Sequence, residues 1–115
     1  MAQSIRMHYR QCQGRIRKNV PWDAVKARQA VVHASAAEVV DAEPSSIIGV
    51  GDEQDYMYNL GDADVWVSNV SPHHYDHYFE EPGGVEFILH VDYSRPVDVA
   101  VTLTLEDGWP TWIGN

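Results

Sequence analysis

Two stretches near the carboxyl end of the chain alternate between aliphatic and mainly polar residues, and they constrain the fold more than any other feature. Val85, Phe87, Leu89 and Val91 alternate with Glu86, Ile88, His90 and Asp92; after Tyr93 to Pro96, Val97, Val99, Val101, Leu103 and Leu105 alternate with Asp98, Ala100, Thr102, Thr104 and Glu106. A period of two sends each set to one face of a strand, so both stretches read as half-buried β-strands. The short separation predicts that they pair as an antiparallel hairpin. Their aliphatic face has to pack on a second layer. Their other face is mixed, since Ile88, Ala100, Thr102 and Trp66 share it with His90, and this implies partial cover there.

A helix is the expected second layer. Asn19 can cap it, Pro21 suits the first turn, where a missing donor costs nothing, and Asp23 favours the positive end of the helix dipole. Trp22, Val25, Val32, Ala36 and Val39 then fall at helical spacing on one face, and Pro44 closes the segment. Ser35-Ala36-Ala37-Glu38 has the form of a capping box and offers a break, with Gln29 to Ala34 extended; the continuous helix is preferred. Ile47 to Val50, Tyr56 to Leu60 and Val65 to Val70 read as further strands, the last two joined at Gly61 to Asp64 as a hairpin. At the amino end, Ile5, Met7 and Tyr9 alternate with Arg6, His8 and Arg10, so the basic segment 1–18 can supply an edge strand, with Gly14 and Arg15 to Lys18 as a connector. The expected fold class is α+β: one main N-terminal helix packed in two layers on a mostly antiparallel sheet of about four to six strands. Residues 1–115 are expected to form a single domain.

Charge is segregated along this sequence. Seven of the eight Lys and Arg residues lie within the first 28 positions beside one acid, Asp23; the other 87 residues hold sixteen acids and Arg95. The first part is therefore +6 and the second −15, within a net charge of −9. A basic arm for an anionic partner and an acidic surface for a basic protein are both compatible with this, as is the basic segment folding back on the acidic one within a monomer or across a dimer. Nucleic acid is not expected as a partner of so acidic a chain. Charged residues interrupt every apolar run, so no membrane span is expected. The single cysteine, Cys12, and the absence of a signal-peptide core imply a cytoplasmic protein. Asn69-Val70-Ser71 matches a glycosylation acceptor, and the cytoplasmic reading and Pro72 weigh against its use.

Chemistry-bearing residues are densest at His73-His74-Tyr75-Asp76-His77-Tyr78-Phe79-Glu80-Glu81. On a short helix capped by Ser71, His73 and His77 lie one turn apart with Glu80 or Glu81 a turn later, a set able to converge on a transition metal. The spacing completes no zinc signature, and a solvated segment with Tyr75, Tyr78 and Phe79 packed inward is the preferred reading, so no cofactor is expected. Asp52, Glu53, Asp55, Asp62 and Asp64 lack the order of a calcium loop. Ile48-Gly49-Val50-Gly51 lacks the third glycine and the helix of a nucleotide site.

No motif specifies a reaction, and whether the chain is an enzyme stays open. The leading expectation is a small interaction or binding domain acting as a homo-oligomer, motivated by the divided charge and by the apolar Trp109-Pro110-Thr111-Trp112-Ile113, which should pack against the sheet or a neighbouring subunit. One alternative is a small-ligand binding protein or enzyme whose pocket, between helix and curved sheet, is lined by Trp66, Ile88, His90, Ala100 and Thr102. The other is an acidic decoy or immunity-type protein that binds a basic partner.

Overall fold

The structure, a computed structural model, describes residues 2–26, 29–40, 61–74, 83–106 and 108–114. It is all-β. Six strands, β1 (Gln3–Cys12), β2 (Gly14–Trp22), β3 (Val32–Glu38), β4 (Asp64–His74), β5 (Gly83–Asp92) and β6 (Val97–Leu105), form two three-stranded antiparallel sheets ordered β1-β6-β3 and β2-β5-β4.

The two alternating stretches are the middle strands of the two sheets. Val85, Phe87, Leu89 and Val91 of β5 and Val97, Val99, Val101, Leu103 and Leu105 of β6 are all buried, and they join Cys12, Val20 and Val25 in one hydrophobic cluster. Face-to-face packing of two sheets explains this, because each aliphatic face is the other's cover. Fully burying a Val, Leu or Phe side chain contributes roughly 1.5–3 kcal/mol, so this cluster dominates the stability of the fold.

The expected hairpin between these stretches does not form. β5 and β6 lie in different sheets, and residues 93–96 carry the chain across the sandwich. A hairpin would leave both aliphatic faces on one side of one sheet in need of a helix; placing the strands in opposed sheets makes them satisfy each other.

The α+β expectation is overturned with it, since no helix occurs among the described residues. Within the stretch read as a helix, the described residues form the end of β2, the turn after it, and β3. Val32, Ala34 and Ala36 face inward opposite Leu105, Leu103 and Val101 of β6, while His33, Ser35 and Ala37 alternate outward. These residues carry a period of two as well as a period near four, and seven backbone pairings to β6 decide between them. Ser35 is a strand residue opposite Thr102 and caps nothing. The apolar residues assigned to one helix face still turn inward or become buried, but from separate places: Trp22 ends β2, Val25 is wholly buried in the turn that follows and donates its N–H to the Trp22 carbonyl (3.0 Å), and Val39 donates to the Asp98 carbonyl (2.8 Å).

The expected first strand is β1. Arg15 to Lys18, read as a connector, belong to β2, and one residue, Gln13, turns the chain from one sheet to the other. Gln11 (φ 53°) and Gly14 (φ 81°) supply the left-handed conformations of this corner, and the Gln11 N–H donates to Asp98 Oδ1 (2.9 Å). β1 and β2 thereby become edge strands stacked on the same side of the sandwich. The strand expected at Val65 to Val70 is present within the longer β4, which continues through Ser71, Pro72 and His73; a helix capped at Ser71 is therefore excluded. The expected strands at Ile47–Val50 and Tyr56–Leu60, and the segment 75–82, lie outside the described residues. No helix among the described residues is long and apolar enough to cross a membrane.

Cys12 sits in the core at 3 % exposure, and burial pushes its thiol above its ordinary pKa; Lys18 pulls it down less strongly and Asp98 adds a small further rise. Alkylation of Cys12 at mildly alkaline pH should therefore be slow in the native protein and fast in urea, as mass spectrometry can follow. Leu89→Ala should cost about 2–5 kcal/mol in urea unfolding, because neither sheet can collapse into the space left at the middle of the sandwich.

Candidate functional site

The outer face of the β2-β5-β4 sheet concentrates the functional side chains, and the register puts them in rows across the three strands. Arg15, His90 and Trp66 form one row and Arg17, Ile88 and Ser68 the next; Asn19, Glu86 and Ser71 form the third. Strand alternation sends all of them away from the core, because Ile16, Leu89 and Val67 occupy the inward positions between.

Within these rows the contacts are specific. The Trp66 and His90 rings stack with centroids 4.8 Å apart and planes 5° from parallel, and His90 Nε2 shares a hydrogen bond of 2.7 Å with Ser68 Oγ. The ring is thus held from one face and at one nitrogen. Arg17 forms an ion pair with Glu86 through its Nε. Hydrogen bonding to Arg17, reinforced by its charge, holds the Glu86 carboxyl below the usual carboxylate range, and the same bond raises Arg17. Diagonally across the sheet, His73 Nε2, two residues beyond Ser71, donates to Asn19 Oδ1 of the third row (2.7 Å).

A β-bulge between Ser68 and Ser71 interrupts the β4 register, and Asn69 adopts φ 53° there. Asn tolerates this left-handed conformation better than most residues. Bulges re-aim side chains, and here Asn69 and Ser71 border a shallow cavity of about 330 Å³ together with Arg15, Arg17, Glu86 and Ile88. Arg15 has no ion-pair partner among the described residues.

The structure divides the ligand-binding set read from the sequence. Trp66, Ile88 and His90 share the face just described. Ala100 and Thr102 lie on the outer side of β6, in the opposite sheet, where Ala100 is in register with His8 and Ala37 and Thr102 Oγ1 accepts from Arg6 Nε (2.7 Å). The five cannot line one pocket, and among the described residues no helix closes one over them. Of the metal set, His73 is a β4 residue already bonded to Asn19, while His77, Glu80 and Glu81 lie outside the described residues. Among the described residues no group of three or more His, Cys, Asp or Glu side chains is placed to hold a metal ion.

Arg15, Arg17, Asn69, Ser71 and Glu86 were not legible as a group. The available signal was the alternation of Arg15, Arg17 and Asn19 with Ile16, Lys18 and Val20, which the density of charge obscures.

A second surface lies at the opposite edge. The Glu106 N–H donates to the Val31 carbonyl (2.9 Å), tying the start of the carboxyl-terminal segment to β3. Beyond it, Trp109, Trp112 and Ile113 are 72, 85 and 88 % exposed. Pro110, Trp112 and Ile113 border an open groove of about 620 Å³ whose other wall is Val31, Val32 and Pro72.

No family model, curated protein or solved structure matches the chain.

The depression of the Glu86 pKa has one dominant source. In an NMR pH titration Glu86 should protonate below ordinary glutamates and return toward them in Arg17→Gln. The stabilisation carried by the pair is present above the ordinary carboxylate pKa and is lost as pH falls through the depressed value.

Proposed function

We propose that this chain is a non-catalytic interaction domain that works as a homo-oligomer, joined through its carboxyl-terminal segment. The observation that carries this is the exposure of Trp109, Trp112 and Ile113, whereas most other large hydrophobic side chains among the described residues are buried or partly buried. Contiguous apolar surface of this kind marks interaction sites, whereas a single exposed hydrophobe marks nothing.

A groove with apolar walls lies beside this segment on the same chain. Two copies exchanging segments therefore satisfy both surfaces in a reciprocal two-fold arrangement, the commonest form of oligomer. A tryptophan carries roughly 150–250 Å² of buriable surface. The four tryptophans of two exchanged segments thus supply about 600–1,000 Å² toward the roughly 1,200–2,000 Å² of a standard specific interface.

The alternative of a small-ligand pocket has weaker support, since the cavity beside Arg15 and Arg17 is shallow and lined by exposed polar groups. Specific small-molecule sites are concave and enclose most of their ligand.

Multi-angle light scattering over a range of concentrations tests this reading. The intact chain should show a dimer that persists in high salt, because its contacts are apolar. Trp112→Ser with Ile113→Ser should yield a folded monomer. A monomer for the intact chain at millimolar concentration would sink the proposal.

A further inference from the structure

Five of the eight Lys and Arg residues lie along one edge of the folded molecule. β1 and β2 carry Arg6, Arg10, Arg15, Arg17 and Lys18 and no acid, while β3 and β4, at the opposite edge, carry Glu38 and Asp64 and no Lys or Arg. Among the described residues β2 pairs with β5 alone, so its outer flank is an unpaired row of backbone donors and acceptors.

We infer that this flank of β2 is a docking edge for an acidic, extended segment of a partner protein, added as a fourth strand to the β2-β5-β4 sheet. Strand addition supplies affinity through main-chain hydrogen bonds and specificity through alternate side chains. Arg15 and Arg17 are two residues apart and point to the same outer face, a spacing of about 6.8 Å along a strand. An incoming strand meets them with carboxylates at alternate positions, Glu-x-Glu or Asp-x-Asp. Arg15 has no ion-pair partner among the described residues, and Arg17 is oriented by Glu86 with its guanidinium still largely in solvent.

Three other accounts of the edge fit less well. Cations on an edge strand often serve to block aggregation, but β3 and β4, which likewise have no further strand partner among the described residues, carry no Lys or Arg. A two-fold pairing of β2 with β2 of a second copy sets arginines against arginines. Nucleic acid meets the −15 of the remaining sequence wherever it extends beyond this edge. The inference is independent of the proposed oligomer, which uses the far edge of the sandwich.

The test uses the full chain and two fluorescein-labelled peptides of equal composition, one with glutamates alternating with threonines and one with the glutamates in a block. By fluorescence anisotropy the alternating peptide should bind more tightly, and binding should weaken as salt is raised. Arg15→Gln, which leaves the Arg17–Glu86 pair intact, should weaken it about tenfold, as should Arg17→Gln. Amide exchange should slow in β2 on peptide addition. Equal binding of the two peptides overturns the inference, as does protection confined to β3 and β4. Concentration-dependent protection of β2 in the chain alone, which the peptide cannot displace, also overturns it, because the edge is then occupied by a second copy.

Discussion

Everything in this fold depends on the burial of two aliphatic strand faces against each other. β5 and β6 each present a row of Val, Leu or Phe side chains at a period of two, and no helix among the described residues covers either row. Packing the rows together forces the two strands into separate sheets and makes each a central strand. The remaining four strands then take their places as edges: β1 and β3 beside β6, and β2 and β4 beside β5. The geometry of the core thereby sets the geometry of the surface.

That placement converts an order along the chain into an order in space. The basic residues are concentrated in β1 and β2, which are consecutive and joined through the corner at Gln13, so they stack on one side of the sandwich. The elements that follow are acidic or neutral and fill the middle and the far edge. The Arg17–Glu86 pair crosses from one population to the other. A protein divided this way has two chemically distinct edges, one suited to carboxylates and one beside an apolar segment ending in Trp112 and Ile113, and both reach solvent without disturbing the core.

The inward residues of β5 and β6 were legible because strand alternation is local: each buried position is announced by its neighbours two residues away. β3 was misread for the same reason. Val32, Ala36 and Val39 satisfy helical spacing, and alanine is a good helix former, so local preference pointed to a helix until pairing with β6 decided otherwise. The separation of β5 from β6 was also hidden. Tyr93 to Pro96 is short enough for a hairpin, and only the need to cover both aliphatic faces shows that it crosses between sheets.

The sequence by itself determined which aliphatic side chains of the central strands alternate into the core, and that the chain begins basic and continues acidic. Those properties depend on composition and on spacings of a few residues. Tertiary structure alone decided that Arg15 and Arg17 share a face with Glu86, Ser71 and Trp66, and that Trp66 and His90 stack while Ala100 and Thr102 lie in the other sheet. The reason is physical: hydrophobic periodicity is read within one strand, whereas a surface is assembled by backbone pairing between strands, and Arg17 meets Glu86 across 69 positions of sequence.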